Sequence, residues 1–220
     1  MKKVAFIILS LFLTVTLFGQ ENQISIGIFG SFDKYWFDTH PSFVSDFDND
    51  AASFGFDIQY NFDERLHIKS YFELAKANQE LVYNFITLNE EPDPQIPGRT
   101  SLGVTYFGIP ILLGYYLMSN KSVKLSTSAG VVSEFLVSED EMSVFQDGSK
   151  RESEFLIQDI NRTRFSAQIN VGLEYHFTSF LFMALEPSLR FGFQSSNNIF
   201  TEQKPFSFGG MVSINYKMLK

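Results

Sequence analysis

The chain contains no cysteine, which excludes a disulfide framework, a thiolate metal site and a cysteine nucleophile. Past residue 18 it also lacks any stretch close to the roughly 18 consecutive apolar residues of a spanning helix, so a membrane crossing would fall to strands of about 9–11 residues. Positive charge is scarce, with 17 Lys and Arg against 25 Asp and Glu. That balance argues against a nucleic-acid partner, whose binding rests on a basic patch that neutralises phosphates. Tryptophan occurs once, yet there are 26 phenylalanines and nine tyrosines, an aromatic load suited to the girdles of a membrane barrel.

The first residues are read apart from the fold. Met1-Lys2-Lys3 is a short basic region, and Val4 to Phe18 is apolar apart from Ser10, Thr14 and Thr16. This is the pattern of a cleaved secretory leader. We assign residues 1–20 to a signal peptide, with cleavage beside Gly19 or Gln20, and 21–220 to one barrel domain. Without Lys2 and Lys3, 15 basic residues face 25 acidic ones, a formal charge near −10.

What remains alternates. Between 161 and 177, Phe165, Ala167, Ile169, Val171, Leu173, Tyr175 and Phe177 fall on one face, and Arg164, Ser166, Gln168, Asn170, Gly172, Glu174 and His176 on the other, the period of a half-buried strand. The same period lays out eight strands, near 23–37, 52–62, 66 toward 88, 99–117, 122–137, 161–177, 180–194 and 205–217. Short turns near 63–65, 119–121 and 178–179 alternate with loops near 38–51, 89–98, 138–160 and 195–204. Short turns at one end and long loops at the other, with an even strand number, predict an all-β, eight-stranded antiparallel up-and-down transmembrane barrel in the outer membrane. A soluble sandwich or lipocalin-like barrel would alternate too, and alternation does not report which face points inward. The polar face, rich in Gly, Ser, Asn and Gln with isolated charges, favours the membrane barrel over a solvated surface, which would be denser in Lys and Glu.

In such a barrel the polar face lines the lumen. Asp57, Glu73, Glu134, Glu174 and Glu186 would share it with Lys69, Lys124, Arg164 and Arg190. Eight strands leave only enough width for side chains to fill, and buried charges must be paired, so this set reads as an internal ion-pair network rather than an ion path. Pro110 and Pro187 fall inside strands, where they cannot donate ladder bonds, and each should mark a bulge or a local break in pairing.

Sites of chemistry are few. His67 and His176 lie near the short-turn ends, whereas His40 lies in the first long loop beside Asp38 and Ser42. Triad members are normally gathered from separate parts of a fold, so the reading is that the chain is not an enzyme and holds no cofactor. Asp46, Asp48 and Asp50 have the spacing of the first three ligands of a calcium loop. Ala51 stands where that loop needs glycine, which excludes an EF-hand and leaves these three as candidates for a loose divalent-cation site. Glu90, Glu91, Asp93, Glu139, Asp140, Glu141, Asp147, Glu152, Glu154 and Asp159 extend the negative charge through the second and third loops.

YFGIPILLGYYL from Tyr106, the following VKLSTSAGVVSEFLV, and VGLEYHF, FMALEPSLRFGF and FSFGGMVSINYKM further on resemble the strands of the PorT-like, porin-related outer-membrane β-barrel family. Where that family often carries a charge before the isoleucine and again further along, this chain has Gly108 and Gly114. Where barrel chains commonly finish on an aromatic residue, it ends Lys-Met-Leu-Lys. The resemblance implies a non-catalytic role in envelope structure or secretion. It also implies outer-membrane lipid, the barrel-assembly machinery during insertion and a secretion or surface protein as partners. The alternatives are a binding or adhesion protein acting through acidic external loops, and a lipid-modifying enzyme with its site at the rim.

Overall fold

A computed structural model describes residues 23–36, 44–83, 97–145, 147–152, 161–193 and 206–218. They form β1 (Gln23–Trp36), β2 (Val44–Asn61), β3 (Leu66–Tyr83), β4 (Pro97–Ser119), β5 (Val123–Phe145), β6 (Lys150–Glu152), β7 (Thr163–His176), β8 (Leu181–Gly192) and β9 (Phe206–Met218). Each long strand pairs antiparallel with its neighbours in sequence, β5 pairs with β7, and β1 pairs with β9 from Ile24↔Met218 to Trp36↔Phe206. Eight strands therefore close into a barrel with no open edge between them. The three-residue β6 stands outside that ring and pairs only with the far end of β5.

The direction of the faces, which alternation left open, is settled by burial. Ile26, Ile28, Phe54, Phe56, Phe72, Val171, Leu185 and Ile214 are exposed, while Asp57, Lys69, Glu73, Glu186 and Asn215 are buried. The apolar side is outside and the polar side fills the interior, the reverse of a soluble barrel. Outward tyrosines gather at the tight-turn end. Tyr60 and Tyr175 meet Phe62 and Phe177 edge-on, and Tyr216 leans on Phe180. Phe32, Phe54, Phe165 and Phe193 stand at the other end.

The tight turns are held by their own polar groups. Asp63 Oδ1 accepts from the backbone N–H of Arg65 (2.6 Å) and Leu66 (2.7 Å), and these donors hold its carboxyl below the usual carboxylate range. Thr178 Oγ1 accepts in the same way from the N–H of Leu181 at 2.9 Å.

Several expected boundaries need correction. Residues 44–51, expected in a loop, are strand paired with β3 as far as Val44↔Tyr83. Residues 138–145, expected in the third loop, continue β5 against β4. One extra residue, Val137, sits between the pairs Leu136↔Tyr106 and Ser138↔Thr105. That bulge turns the strand over, so Glu141 is buried although strict alternation from Glu134 would face it outward. The prolines cause breaks without bulges. Pairing of β3 with β4 lapses between Ser70↔Ile111 and Glu73↔Gly108, and of β7 with β8 between Asn170↔Ser188 and Leu173↔Leu185, with the register unchanged across each gap.

The wall is uneven. β4 and β5 have 23 residues each and β2 and β3 have 18, against 12 to 14 for β7, β8, β9 and β1. Among the described residues, a four-stranded side thus stands above the rest at the end away from the tight turns.

Candidate functional site

Among the described residues the buried charged groups gather in the interior, which is organised in levels. Nearest the tight turns, Gln59 Nε2 donates to Tyr116 Oη (2.6 Å) and Tyr116 Oη donates to Glu174 Oε1 (2.7 Å). His176 Nε2 lies 3.1 Å from the other oxygen of Glu174 and its ring stacks on Phe182. The His67 ring tilts against Tyr116, and the half-buried Lys124 places its ammonium over the same phenol, 4.6 Å from the centroid.

The next level is built on Lys69. Its ammonium is 3.3 Å from Asp57 Oδ2 and hydrogen bonds Glu186 Oε1. Tyr71 Oη donates to the second oxygen of Glu186 at 2.8 Å. The amide of Asn215, oriented with its nitrogen toward the carboxylate, donates to Asp57 at 2.8 Å. Above this, Phe29, Tyr71, Leu112 and Met211 form an apolar cluster, Phe29 meeting Tyr71 edge-on at 5.4 Å.

The third level belongs to arginine. Arg190 grips Glu73 with both terminal nitrogens, at 2.9 and 3.1 Å, the two-bond fork that fits a carboxylate. Arg164 Nη2 is 3.3 Å from Glu134 Oε2, and its guanidinium lies 3.7 Å from the Tyr106 ring centroid. Lys69 and Glu73 come from β3, Glu186 and Arg190 from β8, so both central pairs reach across the bore.

Room for these side chains is made by glycines directly opposite them. A Cβ on Gly108 would come within 2.6 Å of Glu73 Oε1, and one on Gly114 would overlap the ring of His67; each glycine is the register partner of the residue it accommodates. The two glycines that stand where the resembling family often carries a charge thus serve large polar groups on the neighbouring strand.

Eight of the nine expected lumen residues are buried or nearly so, and Lys124 sits half-buried at the mouth. Lys69, Asp57 and Glu186 come together at one level, and Arg190, Glu73, Glu134 and Arg164 at another. Sequence reasoning passed over Asp33, Tyr71, Tyr106 and Tyr116, all buried inward; the strand period that placed the charges also places these. The cation candidates do not form a loop. From Val44 the backbone is strand, Asp50 lies 3.9 Å from Lys34, and the side chains of Asp46 and Asp48 lie outside the described residues. Among the described residues no three His, Asp or Glu side chains gather to hold a metal. His40, Asp38 and Ser42 also lie outside the described residues.

Residues 18–218 match the family model described as outer membrane protein beta-barrel domain. No curated protein matches the chain. Among solved structures it is similar to the outer membrane protein OprG of Pseudomonas aeruginosa, at 14% identity and a TM-score of 0.47, covering 90% of this chain and 96% of that one. It is also similar to the attachment invasion locus protein Ail of Yersinia pestis, at 13% identity and a TM-score of 0.46, covering 90% and 100%. The N-terminal β-barrel domain of Pseudomonas aeruginosa OprF stands at 14% and 0.44, again covering 90% and 100%.

Proposed function

This chain belongs to the outer membrane protein beta-barrel domain family, and from that premise we propose that it is a non-catalytic, plugged barrel that anchors a raised external wall in the outer membrane. Its role on this reading is envelope structure or secretion, of the PorT-like kind. The observation that carries the proposal is the filled bore: the Lys69 and Arg190 levels, with Phe29, Tyr71, Leu112 and Met211 between them, occupy the interior. An eight-stranded barrel has width for side chains or for one small ligand, not for an aqueous channel. The purified protein in planar bilayers is expected to give no large steady conductance. Stable porin-sized current steps would overturn the plug.

The uneven wall favours a second role on the same scaffold, contact with a surface or secreted protein through the β4–β5 arm, which among the described residues runs beyond the other strands. Lys150 and Arg151, both exposed in β6 at its tip, then lie outside the cell. Trypsin added to intact cells is expected to cleave there. Cleavage only after the outer membrane is opened would show that the arm faces the periplasm.

A further inference from the structure

Above the arginine level, at the end of the lumen away from the tight turns, Tyr35, Glu134, Arg164, Ser166, Arg190 and Ser207 line a small cavity. Its volume is about 20 Å³, enough for one small polar group. Four donor-bearing atoms on this lining are buried and have no hydrogen-bond partner: Arg164 Nε, Arg190 Nε, Ser166 Oγ and Ser207 Oγ. Glu134 Oε1 is a fifth atom without a hydrogen bond, 3.8 Å from Arg190 Nη1, and the acceptor of the set. Ser166 and Ser207 are 6% and 1% exposed, and the Arg190 side chain 9%. Buried polar atoms are ordinarily satisfied, so five on one cavity mark a place built to receive something.

The charges indicate what. Both guanidiniums are already neutralised, Arg190 by its fork to Glu73 and Arg164 by Glu134 at 3.3 Å. A free anion would meet no net positive field. A neutral hydroxyl can accept from two of these donors, one on each of its lone pairs, while giving its own proton to Glu134, at no cost in buried charge. We propose that this cavity is a binding site for the terminal hydroxyl of a small neutral polyol of the glycerol type, entering from the long-loop side. The proposal is independent of what the raised wall contacts.

The test is a glycerol titration of the intact barrel in lipid nanodiscs, followed by NMR at the Nε–H signals of Arg164 and Arg190. Saturable shifts at both arginines are expected. The midpoint should rise about tenfold in the Ser166→Ala/Ser207→Ala double variant, which leaves every lumen ion pair in place, and stay unchanged in Ser188→Ala, a buried serine of β8 that is not on this lining. Shifts that chloride produces and glycerol does not would make it an anion site and overturn the proposal. Glycerol shifts that never saturate, or that ignore the double variant, would overturn it equally.

Discussion

Replacing Arg190 by alanine is expected to destabilise the barrel by about 3–5 kcal/mol, the usual result of removing one partner of a buried ion pair. The pair in question is nearly dry, with side-chain exposures of 9% for Arg190 and 2% for Glu73. Loss of the guanidinium strips two hydrogen bonds from a carboxylate that water cannot easily reach. Most of the penalty is the stranded charge of Glu73 rather than the lost attraction. Adding Glu73→Gln to Arg190→Ala should therefore restore part of the stability. Lys150→Ala, at an exposed position, should change little, as exposed charges contribute about 0–1 kcal/mol. Urea unfolding in lipid vesicles measures all three. If Arg190→Ala matches the wild type, the fork to Glu73 is not holding the barrel. If the double variant is no better than the single one, the penalty is not a stranded charge.

The second large effect is expected at a position with no side chain. A Cβ on Gly55 would overlap the backbone carbonyl oxygen of Phe72 on the neighbouring strand, a contact that no rotamer can relieve. Glycine here lets β2 and β3 coil tightly, as closure of a small barrel demands, and Phe29 lies opposite it in register on β1. Gly55→Ala should destabilise by about 1–3 kcal/mol, the scale of overpacking. Gly30 supplies the opposite sign. Its nearest neighbour would be Ser53 O at 3.8 Å, so Gly30→Ala should be neutral or stabilising by up to about 1 kcal/mol through the unfolded chain. Equal effects at the two glycines would show that the close approach at Gly55 does not exist in the folded protein.

Alternation made most of the barrel legible because the requirement is the same at every strand: an apolar residue outward, a polar or small one inward. Arg164, Glu174 and Glu186 could be placed by counting in twos. Legibility ended where that requirement changed. Asp46-Phe47-Asp48-Asn49-Asp50 looks like a loop because nothing in its composition favours a strand; it is one because β3 continues beside it and offers ladder bonds. Glu141 reads as part of the third loop, and counting in twos from Glu134 would still face it outward. One bulged residue at Val137 shifts the parity of everything beyond it, and a bulge is a property of a pair of strands that neither sequence carries alone. The pairing of Arg190 with Glu73 and of Lys69 with Glu186 was likewise beyond reach, since the period fixes the face of each residue and not its height in the bore.

Those two pairs span the same sequence distance, 117 residues, and join β3 to β8. Neither half of the chain owns a complete level: the N-terminal strands supply Lys69 and Glu73, the C-terminal strands Glu186 and Arg190. An unclosed sheet lying in lipid would leave Glu73 and Glu186 without the cations that face them across the bore, in hydrocarbon where an unpaired charge is most costly. Insertion and closure at the β1–β9 seam are therefore parts of one event, with the long-range loop entropy met before the cross-bore bonds of Glu73 and Glu186 form. A chain cut between β4 and β5 should yield no stable half, only two fragments that must find each other before either can stay in the membrane.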